Sequence, residues 1–263
     1  MKINLTFIIG FVLCWAMIVY GVASNQGGMS NLPAFINVPS FFIVVAGTLA
    51  ALVTSYPLSV LAKMPKYLML AVMPPKYDPH DYIRQITEFA TVARSKGLLA
   101  LEDGASKCED PFLKHAVMLI VDANDPDKVR EMLEDSIDFT TERHSVAWGF
   151  CERGAALAPA FGMMGTVIGL VIMLKNIGGD AASLGQAMAV AFITTFYGSL
   201  LANILLMPWR QQMKNVHDDE ILCKKLIVEG VMSIAAGSNP RLIQEKLEFM
   251  LPKLKASVKN EAK

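Results

Sequence analysis

Pro159, Thr166, Thr194 and Thr195 lie inside stretches of this sequence that contain no charged residue. Pro159 and Thr166 belong to one stretch, and Thr194 and Thr195 belong to a later one. A hydroxyl can donate and accept hydrogen bonds, and a proline within a helix leaves one backbone carbonyl without its N–H donor. Such groups can line a path for a proton or a small cation. Because threonine hydroxyls also bond their own helix backbone, a purely structural role stays open.

No ionisable side chain accompanies these polar groups. The charge-free stretches of the sequence also lack histidine. Ion carriers and proton relays in membranes depend on an ionisable residue at membrane depth. This chain alone cannot supply one. We therefore expect its polar helices to surround a partner helix that contributes a carboxylate.

The elements that must position these residues are four membrane-spanning helices. At about 1.5 Å per residue, each stretch can cross the roughly 30 Å hydrocarbon core of a bilayer. The stretches cover 3–23, 35–62, 154–174 and 181–209. Because the second contains Pro39 and Pro57, we expect its helix to cover about 40–56. A cleaved signal peptide is the alternative for the first stretch, although its apolar run is long for one.

The third stretch has an unusual composition for a helix that only touches lipid. Its small residues are Gly154, Ala155, Ala156, Ala158, Ala160, Gly162 and Gly165. Interfaces between membrane helices are enriched in such residues because they let two backbones approach closely. We therefore expect this helix to pack tightly against another one.

The placement of charge predicts an orientation. Lys and Arg together number 24, as do Asp and Glu, so the net charge gives no indication of a nucleic-acid partner. Of the basic residues, 12 lie in 63–153 and 10 in 210–263, whereas the loop 24–34 has none. The positive-inside preference places both long polar segments and both termini in the cytoplasm. The basic stretch after the second span is expected to contact anionic lipid.

These patterns predict an all-α polytopic membrane protein with four transmembrane helices. The expected parts are a hairpin of spans 1 and 2, a cytoplasmic helical domain, spans 3 and 4, and a helical C-terminal tail. Their boundaries are 1–62, 63–150, 151–209 and 210–263.

Four dipeptides mark the expected starts of helices outside the membrane. Asp-Pro occurs at 78–79, 110–111 and 125–126, and Asn-Pro at 239–240. Each places a capping side chain before a proline at the first helical position. The third helix is expected to continue unbroken into span 3, and Gly97 is expected to end the first. Span 4 is expected to leave the membrane at 208–210, with a new helix over 211–236 and a frayed lysine-rich end.

Nothing in the sequence indicates catalysis, a cofactor or a metal site. The four cysteines form no C-x-x-C pair, and the four histidines show no ligand spacing. The adjacent glycines 178–179 lack the Lys-Ser/Thr that follows a phosphate-binding loop. The protein is therefore not expected to be an enzyme.

Two long runs in spans 3 and 4 read APAFGMMGTVIGLVIMLKNIGG and AMAVAFITTFYGSLLANILLMPW. The polar segments contain ARSKGLLALED (93–103), TERH (141–144) and EGVMSIAAGSNPR (229–241). Together these motifs resemble the MotA-type subunits of flagellar stators over nearly the whole chain. The ExbB and TolQ energisers of envelope TonB and Tol systems are the alternative, but they typically have three spans.

The resemblance implies a homo-oligomeric ring, a pentamer in this family, in the bacterial inner membrane. The ring would surround the transmembrane helices of a MotB-type partner that carries a membrane aspartate and a peptidoglycan-binding domain. Ion passage would turn the ring against the rotor protein FliG. No cofactor is implied.

The resemblance also assigns roles to matching positions. Pro159 and Pro208 would couple ion passage to torque. Thr166 and Thr195 would line the ion path, and Pro159 and Thr194 are assigned to the same path. The motive ion is either a proton or sodium, and the few oxygen ligands visible in the sequence slightly favour the proton.

A second set of matching positions carries charge. Arg94 and Glu102 would meet charged groups of the rotor, with Lys96 and Asp103 beside them. The sequence departs from related ones at Ser95 and Lys96. A solvated surface is the alternative interpretation of these residues.

Overall fold

The structure is a computed structural model that describes residues 4–24, 28–122 and 125–251. These residues form helices and turns without a β-strand. The helices are α1 (Leu5–Ala23), α2 (Val38–Ser55), α3 (Met64–Val72), α4 (Pro79–Lys96), α5 (Pro111–Val121), α6 (Pro126–Lys175), α7 (Ala181–Ala235) and α8 (Pro240–Phe249). Short helical segments occur over Gly28–Phe35, Leu58–Leu61, Leu98–Leu101 and Glu102–Ser106. The lysine-rich end predicted after α8 lies outside the described residues from 252 onward.

Four of these helices are long and apolar enough to cross a membrane. They are α1, α2, α6 and α7. The all-α fold with four spans is therefore confirmed. α2 begins after Asn37, whose side chain accepts a hydrogen bond from the backbone N–H of Ser40. Pro39 lies in the first turn, where a missing N–H is tolerated.

The chain divides into two compact units, each built from two segments. The membrane unit comprises Met1–Pro75 and His144–Val216. The helical unit comprises Lys76–Arg143 and His217–Lys263. α6 and α7 each contribute to both units because neither helix is interrupted at the boundary. The prediction that one helix runs from residue 126 through span 3 is confirmed.

α7 is longer than the sequence suggested. The expectation of a separate helix over 211–236 is wrong, because one helix covers Ala181–Ala235. Within it, Leu201–Leu206 are π-helical. A π-helical turn changes the pairing of backbone groups, so the helix can continue past Pro208, which has no N–H to donate.

The four predicted helix starts are all present. Asp78, Asp110, Asp125 and Asn239 each accept a hydrogen bond from the backbone N–H two residues further on. Asp110 also accepts a hydrogen bond from the hydroxyl of Tyr82. Burial, followed by this hydrogen bond, raises the pKa of Tyr82 above its ordinary value of 10.0, so the tyrosine remains a neutral donor.

The apolar faces of these helices form one core in the helical unit. Its fully buried side chains include Ile86 on α4, Leu113 on α5, Leu133 on α6, Leu226 on α7 and Leu247 on α8. Burying such a side chain contributes about 1.5–3 kcal/mol relative to leaving it in water. The shared core therefore holds these five helices together as one unit.

An ion cluster fastens three helices of this unit at its edge. The carboxylate of Glu229 on α7 lies 3.2 Å from a guanidinium nitrogen of Arg130 on α6. It also accepts a hydrogen bond from the ammonium of Lys246 on α8. The bond from Lys246, with the smaller effect of Arg130, holds the pKa of Glu229 below its ordinary value of 4.5.

Replacing Glu229 by glutamine should lower the free energy of unfolding by about 1 kcal/mol at neutral pH, the upper end for partly exposed ion pairs. Because the pKa of Glu229 is lower in the folded state, its charge contributes fully to the free energy of unfolding above the unfolded-state pKa of about 4.3. This contribution disappears as the pH falls through the folded-state pKa. Thermal melts of the purified full chain by circular dichroism should therefore separate wild type and variant at neutral pH but not in strong acid.

The control for this experiment is Glu245→Gln. Glu245 forms an exposed pair with Arg241 on the surface of α8, so its replacement should leave the melting temperature unchanged. A stability difference for Glu229→Gln that persists undiminished in strong acid would contradict the assignment to this charge.

Candidate functional site

α6 and α7 face each other in the membrane unit through two lines of small side chains. The buried positions on α6 are Ala158, Gly162, Gly165 and Gly169. Those on α7 are Ala187, Ala191, Thr194 and Gly198. Both sets are spaced by four, three and four residues, which keeps each set on one face of its helix.

The glycines of this contact leave no room for a side chain. A Cβ atom on Gly169 would lie 2.7 Å from the carbonyl oxygen of Ala187. A Cβ atom on Gly198 would lie 2.7 Å from the carbonyl oxygen of Ala158. The two backbones therefore touch directly, as membrane helices can where both faces are small.

Thr166 and Thr195 meet at the edge of this contact. Their Oγ1 atoms are 2.7 Å apart, and either hydroxyl can be the donor. Oγ1 of Thr166 also lies 3.1 Å from the carbonyl oxygens of Gly162 and Ala191.

The hydroxyl protons of this pair can be arranged in two ways. If Thr195 donates to Thr166, Thr166 can donate to a carbonyl oxygen. If Thr166 donates to Thr195, Thr195 can donate to the carbonyl oxygen of Ala191 at 3.4 Å. The pair is thus a short hydrogen-bonded chain that can switch direction.

The exposed side chains around the hydroxyl pair are apolar. Met163 and Leu170 lie one turn before and after Thr166, and Phe192 lies one turn before Thr195, all with exposed side chains. The spans that form this surface contain no Asp, Glu or His. The chain therefore offers hydroxyls and carbonyls on an apolar face but no charge of its own.

Thr194 has different surroundings from its neighbour Thr195. It is fully buried between the helices, where a Cβ atom on Gly165 would lie 2.4 Å from its Cγ2. Its hydroxyl donates to the carbonyl oxygen of Val190, 2.9 Å away on the same helix. Thr194 thus contributes to packing at the helix contact.

Two polar residues that the sequence analysis did not assign to the ion path continue the line of Thr195 along α7. Ser199 and Asn203 follow it at intervals of four residues and are exposed. The side-chain amide of Asn203 donates to the carbonyl oxygen of Ser199 at 3.1 Å and lies 3.3 Å from its hydroxyl. The spacing of four could have indicated this stripe, but each residue alone resembles an ordinary helix hydroxyl or amide.

Pro159 lies within α6, which continues through it without interruption. Because proline has no N–H, the carbonyl of Ala155 lacks its usual helical donor. Pro159 and Thr166 are seven residues apart, which corresponds to two turns, or about 10 Å, along one face. Pro159 also borders the helix contact, since a Cβ atom on Gly198 would lie 3.2 Å from its Cα.

The residues after Pro208 are held firmly in the membrane unit. The indole N–H of Trp209 donates to the carbonyl oxygen of Leu68 at 3.2 Å. The Trp209 ring also packs edge-on against Phe7 and Phe11 of α1, with centroids 5.2 Å apart in each case. Arg210 and Glu152 form an ion pair at 3.2 Å. These contacts fix the backbone that follows Pro208.

The charged residues predicted to meet the rotor lie around a chain reversal in the helical unit. Arg94 and Lys96 are in the last turn of α4, and Glu102 and Asp103 begin the short helix that follows. Between the pairs, Gly97 has φ 85° and ψ 168°, a conformation that is essentially restricted to glycine. The predicted helix end at Gly97 is confirmed.

Each charged pair lies at the favourable end of a helix dipole. Cations are stabilised at a helix C-terminus and anions at an N-terminus. All four side chains are exposed, and none makes an ion pair with another residue that the structure describes. The surface thus presents unpaired charges of both signs.

Comparisons with known proteins agree with this geometry. A family model described as the MotA/TolQ/ExbB proton channel family matches residues 104–225. The motility protein A of Borreliella burgdorferi is 38% identical over 251 residues, which are 95% of each chain. The solved structure of C. jejuni MotAB matches with a TM-score of 0.86 and 28% identity, over 95% of this chain and 96% of that one. The flagellar MotAB stator complex of Bacillus subtilis matches with a TM-score of 0.84 and 28% identity, over 95% and 98%.

The fold and the site define a four-span helical membrane subunit that is similar to the MotA/TolQ/ExbB family over residues 104–225. The chain belongs to the motility protein A family, so that it is a flagellar stator subunit and not an enzyme. The family, the function and the non-enzymatic role predicted from the resemblance are confirmed.

Gly169→Ala should loosen the contact between α6 and α7. Its methyl group would lie within 2.8 Å of atoms of Ala187 and Ala191, including backbone atoms that cannot rotate away. We expect a loss of about 1–3 kcal/mol in stability, as for other overpacked sites, together with loss of swimming. Thermal melts in detergent and swimming speed measure the two effects.

The matched control is Gly185→Ala. A Cβ atom on this α7 glycine would meet nothing within 4 Å, so the variant should be as stable and as motile as the wild type. Equal behaviour of the two alanine variants would show that the helix contact tolerates separation.

Proposed function

We propose that this chain forms the ring of a flagellar stator and conducts the motive ion together with a MotB-type partner. One observation carries the proposal: a hydrogen-bonded hydroxyl pair lies on an apolar face of spans that contain no Asp, Glu, Lys, Arg or His. A translocated ion needs an ionisable site at membrane depth. In this proposal the partner supplies it as a membrane aspartate. The two similar structures are MotAB complexes, which supports the presence of a MotB-type partner.

The partner aspartate would lie against the face that carries Thr166 and Thr195. An ionised carboxylate is costly inside a bilayer, and hydrogen bonds from hydroxyls lower that cost. Once protonated, the same group can move past apolar neighbours such as Met163 and Phe192. Protonation therefore changes which position of the ring is favoured. Thr194, which the sequence analysis assigned to the ion path, is assigned to packing in this proposal because its hydroxyl bonds only its own helix.

We propose the proton as the motive ion, with sodium as the alternative. The 2.7 Å separation of the two Oγ1 atoms is that of a hydrogen bond. Neighbouring oxygens around a cation with ligands at about 2.4 Å lie further apart, near 3.4 Å in octahedral geometry. The pair therefore suits a proton relay in its present arrangement. Ser199 and Asn203 continue the polar line along α7 toward the cytoplasmic end in the proposed orientation.

The energy for movement comes from the membrane potential. One elementary charge crossing about 100 mV releases roughly 2.3 kcal/mol, several times the thermal energy. Pro159, two turns from Thr166, leaves a free carbonyl in α6 at which the helix can bend. Pro208 precedes the firmly held Trp209 and Arg210, so a displacement of span 4 would be transmitted to the backbone beyond it.

The helical unit would transmit this movement to the rotor protein FliG. Arg94 and Glu102 would pair with opposite charges on the rotor, with Lys96 and Asp103 beside them. Their exposure and their lack of ion pairs support this role. The region 63–150 would then be the rotor-facing domain and 210–263 the C-terminal cytoplasmic part.

The remaining assignments follow from the same proposal. The ring would be a pentamer in the bacterial inner membrane, with both termini in the cytoplasm, as the bias of basic residues supports. The basic stretch before α4 would contact anionic lipid. Spans 1 and 2 would lie at the periphery, which the absence of buried residues in α1 supports.

The proposal can be tested by expressing this chain together with its neighbouring genes and purifying it in mild detergent. We expect mass spectrometry to identify a single-span partner with one membrane aspartate and a peptidoglycan-binding domain. A TonB-like or Tol-like adaptor would assign the chain to the envelope energisers instead. A homo-oligomer without any partner would contradict the argument from the missing carboxylate.

Thr195→Val should reduce swimming by about tenfold, which corresponds to the loss of roughly 1.4 kcal/mol of stabilisation along the ion path. The change removes one hydroxyl of the pair but nearly preserves side-chain volume. Swimming speed should be measured in medium in which potassium replaces sodium, and membrane insertion should be checked by fractionation.

Thr194→Val is the control for this prediction. It makes the same change one residue away, where the hydroxyl bonds only its own helix, so swimming should be retained. Equal losses in both variants would contradict the assigned path. Wild-type swimming that stops without sodium would contradict the proton.

A further inference from the structure

Leu99 projects from the chain reversal between the two charged pairs. Its side chain is 75% exposed, whereas that of Leu101, two residues on, is fully buried. Isolated exposed leucines are common on protein surfaces. The position of Leu99 is unusual because unpaired cations and unpaired anions lie on either side of it in the sequence.

The segment that carries Leu99 is firmly attached to the core of the helical unit. Leu98 packs partly against this core and Leu101 lies inside it. The N–H of Gly97 donates to the carbonyl oxygen of Ala93 at 2.8 Å. The next helix also approaches α4 closely, since a Cβ atom on Gly104 would lie 2.8 Å from the ring of Phe89.

These attachments give Leu99 a defined position at the surface. An apolar side chain that is already ordered loses less conformational entropy on binding than a mobile one.

The charges identify the kind of surface that Leu99 fits. An anionic membrane would attract Arg94 and Lys96 but repel Glu102 and Asp103. A complementary protein surface would carry an acidic group opposite the first pair and a basic group opposite the second. Only a protein with charges of both signs around an apolar recess satisfies all of these side chains.

We infer that Leu99 is the apolar anchor of the contact with the rotor protein, inserted in a recess between that protein's acidic and basic groups. This inference rests on the rotor contact proposed above and adds the residue that holds the two surfaces together. Exposed charge pairs contribute little net affinity but steer association and set its register. Removal of Leu99 from water supplies the non-directional attraction that the charges lack.

The test is a binding titration of the purified stator complex, this chain with its membrane partner, against the purified rotor protein. Leu99→Ala should weaken binding by about tenfold, chiefly through faster dissociation. The loss should be equally large at low and high salt, because apolar contacts are not screened. Leu99→Met, which keeps most of the apolar volume, should restore binding.

Two further variants make the result specific. Leu242→Ala removes another exposed leucine of the same unit, 59% exposed on α8, and should bind like the wild type. Arg94→Glu should slow association and should do so most strongly at low salt. Melting temperatures should be the same for the leucine variants and the wild type, because neither leucine belongs to the core.

The possible failures are distinguishable. If Arg94→Glu weakens binding but Leu99→Ala does not, the anchor is wrong and the rotor contact stands. If neither variant changes binding, the proposed rotor contact is wrong as well. If Leu99→Ala changes the mass of the stator ring in native mass spectrometry, Leu99 contacts a second copy of the chain and the inference is overturned.

Discussion

The close contact between α6 and α7 is the constraint on which the rest of the membrane unit depends. At Gly169 and Gly198 the facing backbones come so near that a single added carbon would collide with a carbonyl oxygen. Only this proximity brings Thr166 and Thr195, from two different helices, to within 2.7 Å. Larger residues at the contact would separate the helices by more than the reach of a hydrogen bond. The small residues thus create the polar site without being part of it.

The site lacks one chemical group that ion transport requires. It provides hydroxyls and carbonyls on an apolar face but no group that can bind or release a proton near neutral pH. A chain with its own membrane carboxylate could conduct ions as a single protein. Here the ionisable group must arrive on a partner helix, so ion passage is tied to the relative position of two proteins. In the proposed function, this division of groups would couple ion passage to rotation of the ring.

The helical unit presents four charged side chains that form no ion pair with other residues that the structure describes. The glycine conformation at residue 97 ends α4 and separates the cations Arg94 and Lys96 from the anions Glu102 and Asp103. Each pair is stabilised by its own helix dipole, so neither needs the other. The same turn holds Leu99 at the surface while Leu101 is buried. Rigidity and exposure are combined within a few residues, as the proposed rotor contact would require.

Local sequence patterns were enough to predict the membrane spans and many of the helix starts. Apolar length predicted the four spans, and capping side chains before prolines predicted the helix starts at 79, 111, 126 and 240. The absence of ionisable residues from the spans indicated a missing partner. Only the tertiary structure distinguished Thr195, which meets Thr166, from Thr194, which packs against Gly165. Adjacent residues point about 100° apart on a helix, so their roles depend on how each helix is rotated against its neighbour. That rotation is decided by the packing of two distant segments, which no local pattern records.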